Sequence, residues 1–244
     1  MNNNKPLQNT IIFLLIILLT QCSTGQKLST EVTSGLPKHD LEVIVLMGIN
    51  DFHGALSPHI LKTKEALDVT PITYEKGGAS ILASHINILK SQFGKRFFLL
   101  DAGDEFQGSV ESNLEEGAPV VQFFNQLEVR AAAIGNHEFD YGPVGPEGST
   151  GDLLGALKER LKQAHYPYLA ANINDRDTGK LTALPNTLPS YLTQVGRLKI
   201  GVIGVSTTET PKTTRPDQIR SLVFTDLKEA VLRETKNLRA QGAQ

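Results

Sequence analysis

Three apolar runs of strand length in this chain each end in a short segment of acid, amide and imidazole side chains. Leu41 to Ile49 is followed by Asn50-Asp51-Phe52-His53-Gly54, Phe97–Leu100 by Asp101-Ala102-Gly103-Asp104, and Ala131–Ile134 by Gly135-Asn136-His137-Glu138-Phe139-Asp140. Helical periodicity separates them. Gly78 to Phe93 sets Ile81, Leu82, Ile86, Leu89 and Phe93 on one predicted face and stops at Gly94, and Pro119–Leu127 carries proline in its first turn. A helix over Asp152–Ala164 with Leu153, Leu154, Leu157 and Leu161 inward, strands Tyr168–Ala171 and Leu198–Val205, and a closing helix Asp226–Ala240 continue the alternation. This order predicts an α/β domain with a largely parallel sheet, in which the nearly continuous apolar run Leu41–Ile49 is a strand buried on both faces. Ligands of such sheets bind beyond the carboxyl ends of the strands, which is where all three polar segments lie.

Asp-x-His and Gly-Asp alone are common turn arrangements, and Gly-Asn-His-Glu is much rarer by chance. The signal is that all three follow strands in order. Gly103 and Gly135 are expected to let the backbone turn sharply out of the strand, and Asp51 and His53, two apart, to share a side if strand geometry persists. Oxygen and imidazole donors together suit borderline divalent ions such as Zn, Mn or Fe rather than Ca. With 24 Lys+Arg against 26 Asp+Glu the net charge is −2, which points away from a nucleic-acid polymer or a charged membrane surface as partner. His39, His59, His85 and His165 stand outside these segments and read as surface or helix-packing residues.

The amino end is of another kind. Ile11 to Leu19 is a nine-residue apolar run, too short to span a bilayer, preceded by Lys5 and followed by a small polar stretch. That is the layout of a secretory signal peptide over residues 1–21, and it predicts an exported, periplasmic or cell-surface protein. The single cysteine, Cys22, rules out an intrachain disulfide, and Leu19-Thr20-Gln21-Cys22 resembles a bacterial lipobox. Lipid on Cys22 would anchor the chain to a membrane without spanning it; ordinary leader cleavage with an incidental thiol is the other reading. Residues 22–40 read as a flexible tether and 41–244 as the folded domain.

With Asn50 to Gly54, with the second and third segments extended as Asp101-Ala102-Gly103-Asp104-Glu105-Phe106-Gln107-Gly108 and Gly135-Asn136-His137-Glu138-Phe139-Asp140-Tyr141-Gly142, and with Lys76-Gly77-Gly78-Ala79 and Ala171-Asn172-Ile173, the chain from about Leu41 to Gln244 resembles the 5′-nucleotidase and UDP-sugar hydrolase branch of the calcineurin-like metallophosphoesterases. The resemblance implies a four-layered α/β/β/α sandwich that holds two divalent metal ions, Zn, Mn or similar, at one edge. It implies Asp51 and His53 as ligands of the first metal, Asp104 as the bridge to both, Asn136 as a ligand of the second, and His137 with Asp140 as the catalytic pair. The activity it implies is hydrolysis of nucleotides to nucleosides and phosphate; a sulfate-ester or thiosulfate hydrolase on the same scaffold is a further reading. The family pattern continues with a Gly-His pair and a Gly-His-x-His segment that complete the metal sphere, and neither occurs here. The chain is therefore expected to be either the front part of a longer enzyme, without the last strands and the carboxy-terminal nucleotide-binding domain, or a truncated, inactive lipoprotein keeping the scaffold and a partial metal site.

Overall fold

The computed structural model describes residues 43–62, 72–146 and 148–244, so the signal segment, Cys22, the tether and His39 lie outside the described residues. Strands β1 (Val45–Ile49), β4 (Phe97–Asp101), β5 (Ala131–Ala133), β6 (Tyr168–Leu169) and β8 (Thr187–Leu188) form one sheet in that order, each parallel to its neighbours. Helices α1 (Ala79–Phe93), α3 (Ala118–Leu127) and α4 (Gly155–Gln163) occupy successive crossovers between them. The expected α/β alternation with a parallel sheet is what the chain adopts.

Burial follows position in the sheet. Strand β4, flanked on both sides, buries Phe97, Phe98 and Leu99 together, whereas β1 is an edge strand whose Val45, Met47 and Ile49 are buried while Gly48 is exposed. The reading of the first strand as buried on both faces is thus corrected: Val45, Met47 and Ile49 point to the core face, while Leu46 and Gly48, on the opposite face, are less covered. In α1, Ile86 is fully buried and Leu82, Leu89 and Phe93 pack on the core, but Ile81 is 51% exposed, since it sits about a quarter turn away from Leu82. Helix α3 buries Val120, Val121, Phe124 and Leu127, and α4 buries Ala156, Leu157 and Leu161. Each such large apolar side chain contributes roughly 1.5–3 kcal/mol.

The remaining strands make antiparallel pairs: β2 (His59–Lys62) with β3 (Thr73–Lys76), β7 (Ile173–Asp175) with β11 (Leu222–Phe224), and β9 (Ser190–Val195) with β10 (Leu198–Ile203). Short helices α2 (Val110–Asn113) and α5 (Thr210–Thr213) lie in the loops, and α6 (Leu227–Ala240) closes the chain, capped by the Asp226 carboxylate, which accepts the Glu229 amide hydrogen at 2.8 Å. Among the described residues no helix is long and apolar enough to cross a membrane.

Candidate active site

The parallel register aligns Ile49 with Asp101 and Asp101 with Ala132, so the carboxyl ends of β1, β4 and β5 open side by side. Beyond them the chain leaves strand geometry: Asp51, His53 and Asp104 have φ of 51°, 48° and 61°. For a residue with a β-carbon that region costs roughly 1–2 kcal/mol, and its repetition at one place marks a site that the surrounding structure over-determines. The alternation expected to bring Asp51 and His53 to one side therefore does not persist. The loop after β4 positions them instead, through hydrogen bonds from Asp51 N to Gly103 O at 3.1 Å, His53 N to Asp104 O at 3.0 Å and Gly54 N to Glu105 O at 2.9 Å.

The two glycines have different jobs. Gly103 has φ 99°, and a β-carbon there would lie 2.7 Å from Gly135 N, so it permits both the turn and the contact between loops. Gly135 has no left-handed φ, contrary to its expected role as a turn residue; a β-carbon there would lie 2.6 Å from Asp104 N, so Gly135 makes room for Asp104.

Donor atoms of His53, Asp104 and His137 lie within 4.8 Å of one another, and the two imidazole rings meet edge to face with centroids 4.9 Å apart. His53 Nδ1 donates to the Gln107 carbonyl at 2.7 Å, leaving Nε2, which Asp51 Oδ1 approaches at 3.8 Å. Asn50 donates its amide to the other Asp51 oxygen. His137 Nδ1 donates to Asp140 Oδ2 at 2.6 Å, and its backbone N–H donates to Asp104 Oδ1 at 3.0 Å. Asn136 Nδ2 donates to the Thr213 carbonyl at 3.4 Å, so its Oδ1 is the amide atom that could face a cation. This mixture of imidazole nitrogen, carboxylate and amide oxygen, with each imidazole fixed through Nδ1, fits a divalent cation.

Below lies a layer of buried carboxyl groups. Glu138, 1% exposed, accepts from Asp104 N at 2.9 Å, Gly135 N at 2.6 Å and Glu105 N at 2.7 Å. Burial, with the Asp104 charge beside it, raises its pKa to about 7. Burial likewise pushes Asp101 and Glu105 up; Asp101 accepts from Gly103 N at 2.6 Å, and Glu105 accepts from the Tyr168 and Tyr166 hydroxyls at 2.7 and 3.0 Å.

The calcineurin-like phosphoesterase family model matches residues 44–236, which include every one of these loops. The chain belongs to that family. Among its relatives, the snake venom 5′-nucleotidase of Crotalus adamanteus is 39% identical over 57% of this chain and 22% of its own length. The cell wall protein Lmo0130 of Listeria monocytogenes is 29% identical over 99% of this chain and 31% of its own. The structure of a 5′-nucleotidase precursor from Thermus thermophilus superposes with TM-score 0.64 at 28% identity, over 82% of this chain and 35% of that one. The chain thus spans less than a third of the length of these two curated relatives.

As a calcineurin-like phosphoesterase domain, the chain brings His53, Asp104 and His137 directly together. Asp51 joins that group through His53, Asp140 stands behind His137, and Asn136 is turned by Thr213. His59, His85 and His165 are exposed, as expected. Sequence reasoning assigned no role to Glu138, Glu105, Asp101, Thr213 or Thr214. Glu138 carried a signal, its place inside Gly-Asn-His-Glu; Thr214 carried none, being 74 residues from the aspartate it touches.

Proposed function

We propose that this domain hydrolyses phosphoric esters with two divalent cations, and that its substrates are nucleotides, cleaved to nucleoside and phosphate. The observation that carries the reading is the convergence of His53, Asp104 and His137, with His137 backed by Asp140. Asp51 and His53 would hold one cation, Asn136 the other, and Asp104 both. Such a pair supplies Lewis acidity toward phosphoryl oxygens and lowers the cost of ionising water. Asn136 contributes a neutral oxygen, which limits negative charge where an anionic ester must enter. With Nδ1–H donated to Asp140, an imidazolium form of His137 would carry its second proton on Nε2, and that proton could pass to the leaving alkoxide, leaving the ring neutral and protonated at Nδ1. The names of the relatives, 5′-nucleotidases among them, support nucleotides as the substrate class.

Phosphate release from nucleoside monophosphates by the purified chain with Mn²⁺ or Zn²⁺ tests the reading. Turnover that EDTA abolishes is expected, with His137→Ala cutting the rate by roughly 10²–10⁴. Cation binding without hydrolysis of any phosphate ester would mean that this chain does not act alone, the outcome that both the inactive scaffold and the front part of a longer enzyme predict.

We infer further that the protein is exported and that its mature amino terminus is an acylated Cys22. Support comes from the apolar run Ile11–Leu19 ahead of a single cysteine, and from a relative called a cell wall protein. Mass spectrometry of the processed terminus checks this, and an unmodified terminus elsewhere would sink it.

A further inference from the structure

The segment from Ser206 to Gln218 runs beside residues 134–142, which carry Asn136, His137 and Asp140. Ser206 donates its hydroxyl to the Ile134 carbonyl, the Thr213 carbonyl accepts the Asn136 amide at 3.4 Å, and Thr214 Oγ1 donates to Asp140 Oδ1 at 2.7 Å. Further along, a β-carbon on Gly142 would lie 2.6 Å from Gln218 Nε2, so the two segments stay in contact. The segment is itself held. Thr210 is fully buried, its backbone N–H and hydroxyl both donate to the Thr207 carbonyl at 3.2 and 2.8 Å, and Thr214 N donates to Thr210 O at 3.1 Å.

Resting on the hydrolase reading above, we propose that Thr213 and Thr214 form an orienting clamp on the site, with Thr214 a positioning residue for the Asp140–His137 pair. The terminal torsion of an aspartate is broad, so one hydrogen bond leaves the carboxylate free to swing. In this protein both oxygens are engaged, Oδ1 by Thr214 and Oδ2 by His137 Nδ1. That engagement holds the proton on Nδ1 and keeps Nε2 available. One residue earlier, a carbonyl that can only accept selects the Asn136 rotamer in which Nδ2 points to Thr213, leaving Oδ1 for a cation. Two adjacent residues thereby orient a metal-binding amide and a catalytic imidazole.

The test compares Thr214→Val, which keeps the shape and removes the donor, with Thr214→Ser, which keeps the donor, and with Thr214→Ala as a second donor-free variant. In the metal-free 244-residue chain, ¹⁵N shifts of the His137 ring at alkaline pH report which nitrogen holds the proton. Wild type and Thr214→Ser should hold it on Nδ1, and Thr214→Val and Thr214→Ala should shift population toward Nε2. With Mn²⁺ and a nucleoside monophosphate, whose alkoxide leaving group needs a proton, the donor-free variants should lose about ten- to a hundredfold in kcat with KM unchanged, and Thr214→Ser should restore it. An unchanged His137 tautomer in the donor-free variants, or the same loss in Thr214→Ser, overturns the proposal. A wild-type chain that hydrolyses no ester overturns hydrolysis by this chain alone instead, and the ring shifts still decide the clamp.

Discussion

Glu138 closes the loop that carries Asp104, because its two oxygens take up three backbone N–H groups from two separate strand ends. Replacing it with Ala strands those donors in a dry site, at about 1–3 kcal/mol for each group left unsatisfied. Glu138→Ala is therefore expected to destabilise the chain by several kcal/mol in urea unfolding at about pH 5, where the wild-type side chain is neutral and no buried charge is relieved. The same residue sets a pH dependence. Its folded pKa stands at about 7 against an ordinary 4.5, so the folded state binds the extra proton. The resulting stability is complete below the ordinary value and is lost as pH rises through about 7. Melting of the metal-free protein should fall across that window; a rise would show that Glu138 is ionised throughout.

At the scale of elements, the site is a contact between loops more than a property of any one loop. The segment after β1 hangs on the segment after β4 by successive backbone hydrogen bonds, and the segment after β5 touches both through Gly135 and His137. Gly135→Ala would drive a methyl group into Asp104. It should weaken Mn²⁺ binding by about 10–100-fold, the usual worth of a residue that orients a ligand, while leaving β5 and its pairing in place. Calorimetric titration that found unchanged affinity would mean that Asp104 can ligate from a displaced backbone. Sequence periodicity recovered the helices α1, α3, α4 and α6 to within a few residues and missed the short strands β2, β3, β7, β8 and β11, which are too brief to show a period. The exposed Ile81 of α1 shows its limit, since membership of a helix was legible and the edge of the buried stripe was not.

For the whole molecule, a cation that binds only the folded chain adds stability by mass action, about 2.7 kcal/mol at a hundred times its dissociation constant. Mn²⁺ should raise the melting temperature, EDTA should reverse the rise, and Asp104→Asn should remove most of it; an equal rise in Asp104→Asn would place the cation elsewhere. The alternation of strand and helix, the parallel sheet and the three polar strand ends were all determined by the order of residues along the chain, because periodicity and glycine punctuation are local and survive without neighbours. The antiparallel pair β9–β10 went half unread, since Ser190–Val195 mixes polar and apolar residues without clean alternation. What only the tertiary structure decided is which groups hold the site in shape. The buried carboxyls Asp101, Glu105 and Glu138, the hydroxyls of Tyr166 and Tyr168, and the Thr214 donor to Asp140 meet across 61 to 74 residues of chain in several of their contacts. No local pattern encodes such meetings, because burial and hydrogen-bond partnership belong to the folded neighbourhood and not to the residue.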